Sequence, residues 1–140
     1  MAGSPPVGDV TLGVDLISIT VEQPLGTPAT SIDATAPFYV TATLRASGFL
    51  RTAAVPYSIR YFFESFGPGP EGSLGIVAGN LNGVPITSMT TDYNGTATRL
   101  TVPASTLIND RTWKLTAIAD FPTMPGTGAF IEGPVIATRP

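Results

Sequence analysis

Neither cysteine nor histidine occurs anywhere in the 140 residues. The first absence excludes disulfides and thiolate metal sites. The second removes the commonest metal ligand, the usual general base and every histidine-containing catalytic triad. Lysine is nearly missing as well: Lys114 stands alone beside six scattered arginines. Such cations make no basic stripe, so binding to nucleic acid through its phosphates is not expected. Charged residues are 12% of the chain, about half the usual share, for a net charge of −3. No apolar run reaches the ~18 residues that announce a spanning helix, so no membrane span is expected. The opening, Met1-Ala2-Gly3-Ser4-Pro5-Pro6, has neither the basic nor the apolar region of a secretory signal. The chain then stays inside the cell, leaves by another route, or starts at an initiator Met that replaced a leader. A place outside the cell or on a virion surface is the favoured expectation.

Apolar and small residues are abundant: 43% hydrophobic, with 15 Gly and 14 Pro. A single domain of this size hides roughly two-thirds of the surface its unfolded chain exposes, enough for a core without cross-links. Low charge beside high apolar content has two readings. One is a neutral, threonine-rich β surface; the other is a surface partly buried in an assembly.

Tyr57 to Phe66 is the most aromatic stretch. Extended, it puts Tyr57, Ile59, Tyr61 and Phe63 on one face and Ser58, Arg60, Phe62 and Glu64 on the other, the period of a half-buried strand. Such a strand needs a second apolar layer. Residues 1–12 read as an N-terminal arm and 13–140 as one β-domain. Val14 to Glu22 predicts a strand with Ile17, Ile19 and Val21 on one face. Gln23 to Pro37, broken by three prolines, reads as a long connection. Phe38 to Ser47 alternates cleanly, with Phe38, Val40, Ala42, Leu44 and Ala46 inward. Gly67 to Gly72 must turn, and Leu74, Ile76 and Ala78 mark a weaker strand. Asn80 to Gly95 reads as loop, with brief pairing around Ile86 to Met89. Thr96 to Val102 is a further strand, and Pro103 to Asp110 one short helical turn. Arg111 to Phe121 places Trp113, Leu115, Ala117 and Ala119 inward, with Thr112, Lys114, Thr116 and Asp120 outward. Phe130 to Thr138 closes the chain, with Gly133-Pro134 predicting a bulge or an edge. About seven short strands without an amphipathic helix predict an all-β, antiparallel β-sandwich. Val40, Leu44, Ile59, Tyr61, Phe63, Leu100, Trp113 and Leu115 are its expected core.

Leu100-Thr101-Val102-Pro103, followed by Asp110 to Ala117, resembles the E–F corner of immunoglobulin-like and fibronectin type III-like sandwiches. There an inward apolar strand, a short crossing turn with an Asp and an aromatic entering the next strand recur. Trp113 stands where that family usually has Tyr. The B–F cysteine pair is absent, and the Tyr57 strand lacks the family's core Trp. The resemblance implies an immunoglobulin-like sandwich of about seven strands and carries no activity, since that architecture hosts many functions.

Candidate sites are few. Glu64 and Glu71 flank the Gly-Pro turn, where paired carboxylates would suit glycoside hydrolysis. The plainer expectation pairs Glu64 with Arg60 or Arg45 and leaves Glu71 solvated. Asp92-Tyr93-Asn94-Gly95 opens like a calcium loop but lacks the later oxygen ligands. Asn94-Gly95-Thr96 matches a glycosylation sequon, relevant only in a secreted eukaryotic chain. Phe62 and Phe66 fall on the outer face of a strand whose inner face is full. With Phe130 and Ile136 they form the expected interface patch, unless the Gln23 to Pro37 segment covers them. No catalytic residue, cofactor or metal is assigned. The leading expectation is a non-enzymatic, self-assembling structural subunit of a particle coat, fibre or surface layer, working as a homo-oligomer. The alternative is a module that binds a glycan, through a platform of Tyr39, Phe62 and Phe66, or a peptide or other protein partner.

Overall fold

The structure, a computed structural model, describes residues 14–23, 28–47, 54–82, 90–108, 110–124 and 126–139. The expected arm at residues 1–12 and the pairing around Ile86 to Met89 lie outside them. Among the described residues there are nine strands: β1 Val14–Glu22, β2 Ser31–Asp33, β3 Phe38–Ser47, β4 Pro56–Ser65, β5 Glu71–Asn80, β6 Thr90–Tyr93, β7 Leu100–Val102, β8 Arg111–Asp120 and β9 Gly128–Arg139. The protein is all-β. No described helix is long and apolar enough to cross a membrane.

The strands form two sheets. In the smaller, β3 pairs with β1 on one side. On its other side β6 and β7 lie end to end, β6 against residues 44–47 and β7 against 38–40. The larger sheet runs β2-β9-β8-β4-β5. Its pairs are antiparallel except β2 on β9, which is parallel.

Two of the nine strands lie where loops were expected. β2 sits inside the proline-broken connection, anchored by the fully buried Ile32. Gln23 supports it as a stand-in peptide group: its carboxamide oxygen accepts from the Asp33 N–H and its NH2 donates to the Asp33 carbonyl at 2.9 Å. β6 occupies the end of the expected Asn80–Gly95 loop. The expected strand from Thr96 starts only at Leu100, because Gly95–Ala97 winds into a 3-10 turn. Pro103 to Asp110 holds turns and no helix among its described residues.

Three bulges reset the alternation, since one extra residue turns every later side chain to the other face. In β1 the register skips Ile17, which points outward, leaving Leu16, Ile19 and Val21 inside. In β5 it skips Leu74 between Ser73 and Gly75, so Val77 turns toward the core while Ile76 and Ala78 point out. In β9 it skips Pro134, between Gly133 opposite Leu115 and Val135 opposite Lys114. A residue without an N–H is tolerated where no ladder bond is asked of it.

One core lies between the sheets. Val40, Leu44, Ile59, Tyr61, Trp113 and Leu115 are buried within it, and Phe63 and Leu100 pack at its margin. Phe63 meets Trp113 edge-on, ring centres 5.4 Å apart.

Polar ties cross this core. The gap between β6 and β7 leaves the Ala42 N–H and carbonyl without ladder partners. The Ala42 N–H donates instead to the Tyr61 hydroxyl (2.9 Å), which donates to the Thr98 carbonyl (2.6 Å). The Thr98 hydroxyl donates to the Ala42 carbonyl. Tyr57 donates to the Ala97 carbonyl at 2.6 Å. Burial pushes both phenols above their ordinary pKa, Tyr61 furthest, against the lowering effect of its bonds to Ala42 and Thr98. At the other end the Trp113 N–H donates to the Thr138 hydroxyl (3.0 Å), which donates to the Ile108 carbonyl (2.6 Å).

Candidate functional site

The outer face of the larger sheet is set by β8, whose inward residues Trp113, Leu115, Ala117 and Ala119 force the alternate positions out. Register then fixes a transverse row. Ile118 lies between Arg60 of β4 and Phe130 of β9, and Arg60 in turn lies beside Ile76 of β5. Strands stand about 4.8 Å apart, so the row Ile76–Arg60–Ile118–Phe130 spans roughly 14 Å. Ile76 is 54% exposed, Ile118 39% and Phe130 58%. Arg60 is exposed and has no ion pair among the described residues. Phe62, two residues from Arg60 on the same face, is half-buried beside the row, with Thr116 and Ser73 as strand partners.

Charges rim this row. Lys114 pairs with Glu132 at 3.0 Å and, more loosely, with Glu64 at 3.9 Å. The hydrogen bond to Glu132 raises the lysine above its ordinary pKa. Glu64 therefore faces Lys114 and not Arg60 or Arg45. Arg45 belongs to the smaller sheet, where it makes a two-pronged pair with Asp92 at 2.7 and 3.0 Å. That pair holds the Asp92 carboxyl below its usual range and occupies the first residue of the calcium-like sequence. Among the described residues no three acidic side chains gather to hold a metal ion. Glu64 and Glu71 are exposed strand partners beside a shallow depression lined by Phe62, Phe63, Gly72 and Thr116.

The four residues expected at an interface separate. Phe130 is in the row and Phe62 borders it. Phe66, 55% exposed, lies past the end of β4 in a depression with Ile108, Asp110, Arg111 and Thr112. Ile136 is buried opposite Trp113 and belongs to the core. Counting by twos from Phe130 puts it outside; the extra residue Pro134 turns it in. Residues 28–37 do not cover Phe62, since β2 lies beyond β9, on the far side of β8 from β4. Nor is there one aromatic platform: Tyr39 sits on β3 of the other sheet, under the Arg99 guanidinium at 4.8 Å. Two members of the row, Ile76 and Ile118, escaped the sequence reading. Alternation alone identifies Ile118, which shares a face with Thr116 and Asp120; Ile76 needed the bulge at Leu74.

Comparisons with protein-family models, with curated proteins and with solved structures find no match to the chain.

Proposed function

We propose that the protein is a non-enzymatic structural subunit that associates with copies of itself through the outer face of the larger sheet. The observation behind this reading is the row Ile76–Arg60–Ile118–Phe130, three large apolar side chains and a lone guanidinium in line across four strands. Exposed apolar area of this kind marks a contact surface. A second copy suits it because the face supplies both halves of an ionic contact. Among the described residues Arg60 has no ion pair, and Asp120, two positions along β8 from Ile118, carries a carboxylate, one oxygen of which accepts from the Ser58 hydroxyl at 3.3 Å. A two-fold contact between identical faces sets one against the other twice. A coat, fibre or layer built from such contacts fits a chain with this little charge. Glu64 and Glu71 have no catalytic part in this reading.

The scaffold in this proposal is an immunoglobulin-like sandwich. In chain order, β1, β3 and β7 take the places of strands A, B and E. β4, β8 and β9 take those of C, F and G, and β5 that of the extra C′ strand beside C. β6 departs from the pattern by pairing with β3. The Trp113–Thr138–Ile108 chain stands in for the tyrosine corner, reaching the turn before β8 through one intermediate hydroxyl.

Light scattering tests the assembly. The unmodified protein is expected above monomer mass at concentrations on the order of 10 μM, where weak interfaces fill. Phe130→Asp should return it to monomer with its β-sheet circular dichroism intact. A clean monomer without substitution would remove the proposal and turn attention to glycan or peptide ligands.

A further inference from the structure

Residues 94–99 leave the smaller sheet between β6 and β7, and their first residue is chemically exposed. Asn94 is solvent-accessible, its backbone is extended (φ −153, ψ −166), and its carboxamide caps nothing. Gly95 follows with φ +62 and open space where a Cβ would stand. Its N–H has no hydrogen-bond acceptor among the described residues. The next two amides are held, Ala97 N–H to the Asn94 carbonyl at 3.3 Å and Thr98 N–H to the Gly95 carbonyl at 3.2 Å. The peptide between Asn94 and Gly95 is thus held on its carbonyl side by one long hydrogen bond, while its nitrogen is unengaged among the described residues.

We propose that Asn94 is a site of spontaneous covalent modification, in which the protein's own backbone is the nucleophile. The Gly95 nitrogen gives its proton to a solvent base and attacks the Asn94 side-chain carbonyl carbon. A bond forms between that nitrogen and Cγ, the Cγ–Nδ2 bond breaks, and Nδ2 leaves as ammonia after taking up a proton. Water then opens the cyclic imide at either carbonyl. One opening yields aspartate; the other yields an isoaspartyl link, with the main chain routed through the side-chain carbon. No oxidant, metal or enzyme is needed. Glycine is the favourable neighbour because no side chain crowds its nitrogen. An extended Asn backbone lets a rotation about ψ bring nitrogen and Cγ together, which a helical one prevents.

The position gives the change a structural effect. Three and four residues on, the Ala97 and Thr98 carbonyls hold Tyr57 and Tyr61. An added main-chain carbon at residue 94 shifts the segment that presents them, and a new carboxylate appears near the one at Asp92. Ageing chemistry here loosens the tie between the sheets.

The test is to hold the intact protein in mildly alkaline buffer at physiological temperature and follow Asn94 by peptide mass spectrometry with electron-based fragmentation. The expected result is conversion to the acid with the isoaspartyl form prominent, and a lowered urea midpoint for the aged protein. Gly95→Asn keeps a residue that tolerates positive φ while crowding the nitrogen, and should slow conversion sharply. Asn94 remaining an amide in the folded protein while converting in urea would overturn the proposal. So would equal rates in Gly95→Asn, and an unchanged midpoint would remove its link to the tyrosine ties.

Discussion

Tyr61 does at one position what a ladder partner would do for Ala42, and its hydroxyl has no substitute. Tyr61→Phe keeps the ring but strands the buried Ala42 N–H and frees the Thr98 carbonyl, a loss of about 1–3 kcal/mol. Urea denaturation measures it. The same phenol makes stability depend on alkaline pH. Its folded pKa lies above the ordinary tyrosine value of about 10, so above that value the unfolded chain holds fewer protons than the folded one. The stabilisation is whole below pH ~10 and is lost as pH rises beyond it. A stability–pH series should fall there, and less steeply in Tyr61→Phe, with Tyr57 and Lys114 supplying the remainder. Trp113 is the other critical side chain. Trp113→Ala should cost about 3–5 kcal/mol through lost packing. Thr138→Val, which takes the acceptor from the buried indole N–H, should cost about 1–3 kcal/mol. Alternation shows that Tyr61 and Trp113 point inward. Their partners are not legible in it: Ala42 matters only once the sheets are stacked and the gap beside β3 exists, and Thr138 only once β9 lies against β8 in the register that the Pro134 bulge sets.

Long alternating strands such as β3, β4 and β8 were readable because burial on one face writes itself into every second residue. Short strands and most phase changes were not. β2 is three residues long and is set by Ile32 and by a glutamine eight residues before its start. Ile17 and Leu74 each add one residue that hydropathy cannot distinguish from an ordinary strand position. Gly133-Pro134 does announce its bulge, but not which of two phases the residues after it adopt. The cost appears at Ile136, expected outside and found inside. Gly75, next to the β5 bulge, shows what holds such a shift. Its φ is +146, and a Cβ there would meet the Leu100 side chain at 3.1 Å. Gly75→Ala should therefore cost about 1–3 kcal/mol through backbone strain and displacement of Leu100, read as a lower thermal midpoint. If the bulge slips to relieve it, Ile76 leaves the outer face and self-association should weaken at the same time.

Across the molecule as a whole, one core lies between the sheets and the outer face of the larger sheet carries the exposed row Ile76–Arg60–Ile118–Phe130. If identical faces meet with Arg60 set against Asp120 of the other copy, Arg60→Glu should lower the mass seen by light scattering. Combining it with Asp120→Arg should restore that mass, since the swap rebuilds both contacts with reversed polarity. Unequal recovery would place the two-fold axis elsewhere on the face. The tie at Ala42 bears on a different property, the way the protein breathes. Most amides in a sheet are released when a neighbouring strand frays at its end. The Ala42 amide is bonded to a side chain from the opposite sheet, so solvent deuterium reaches it only when the two layers part. Its exchange rate, read beside those of its neighbours in β3, reports the free energy of separating the sheets as distinct from that of unzipping one.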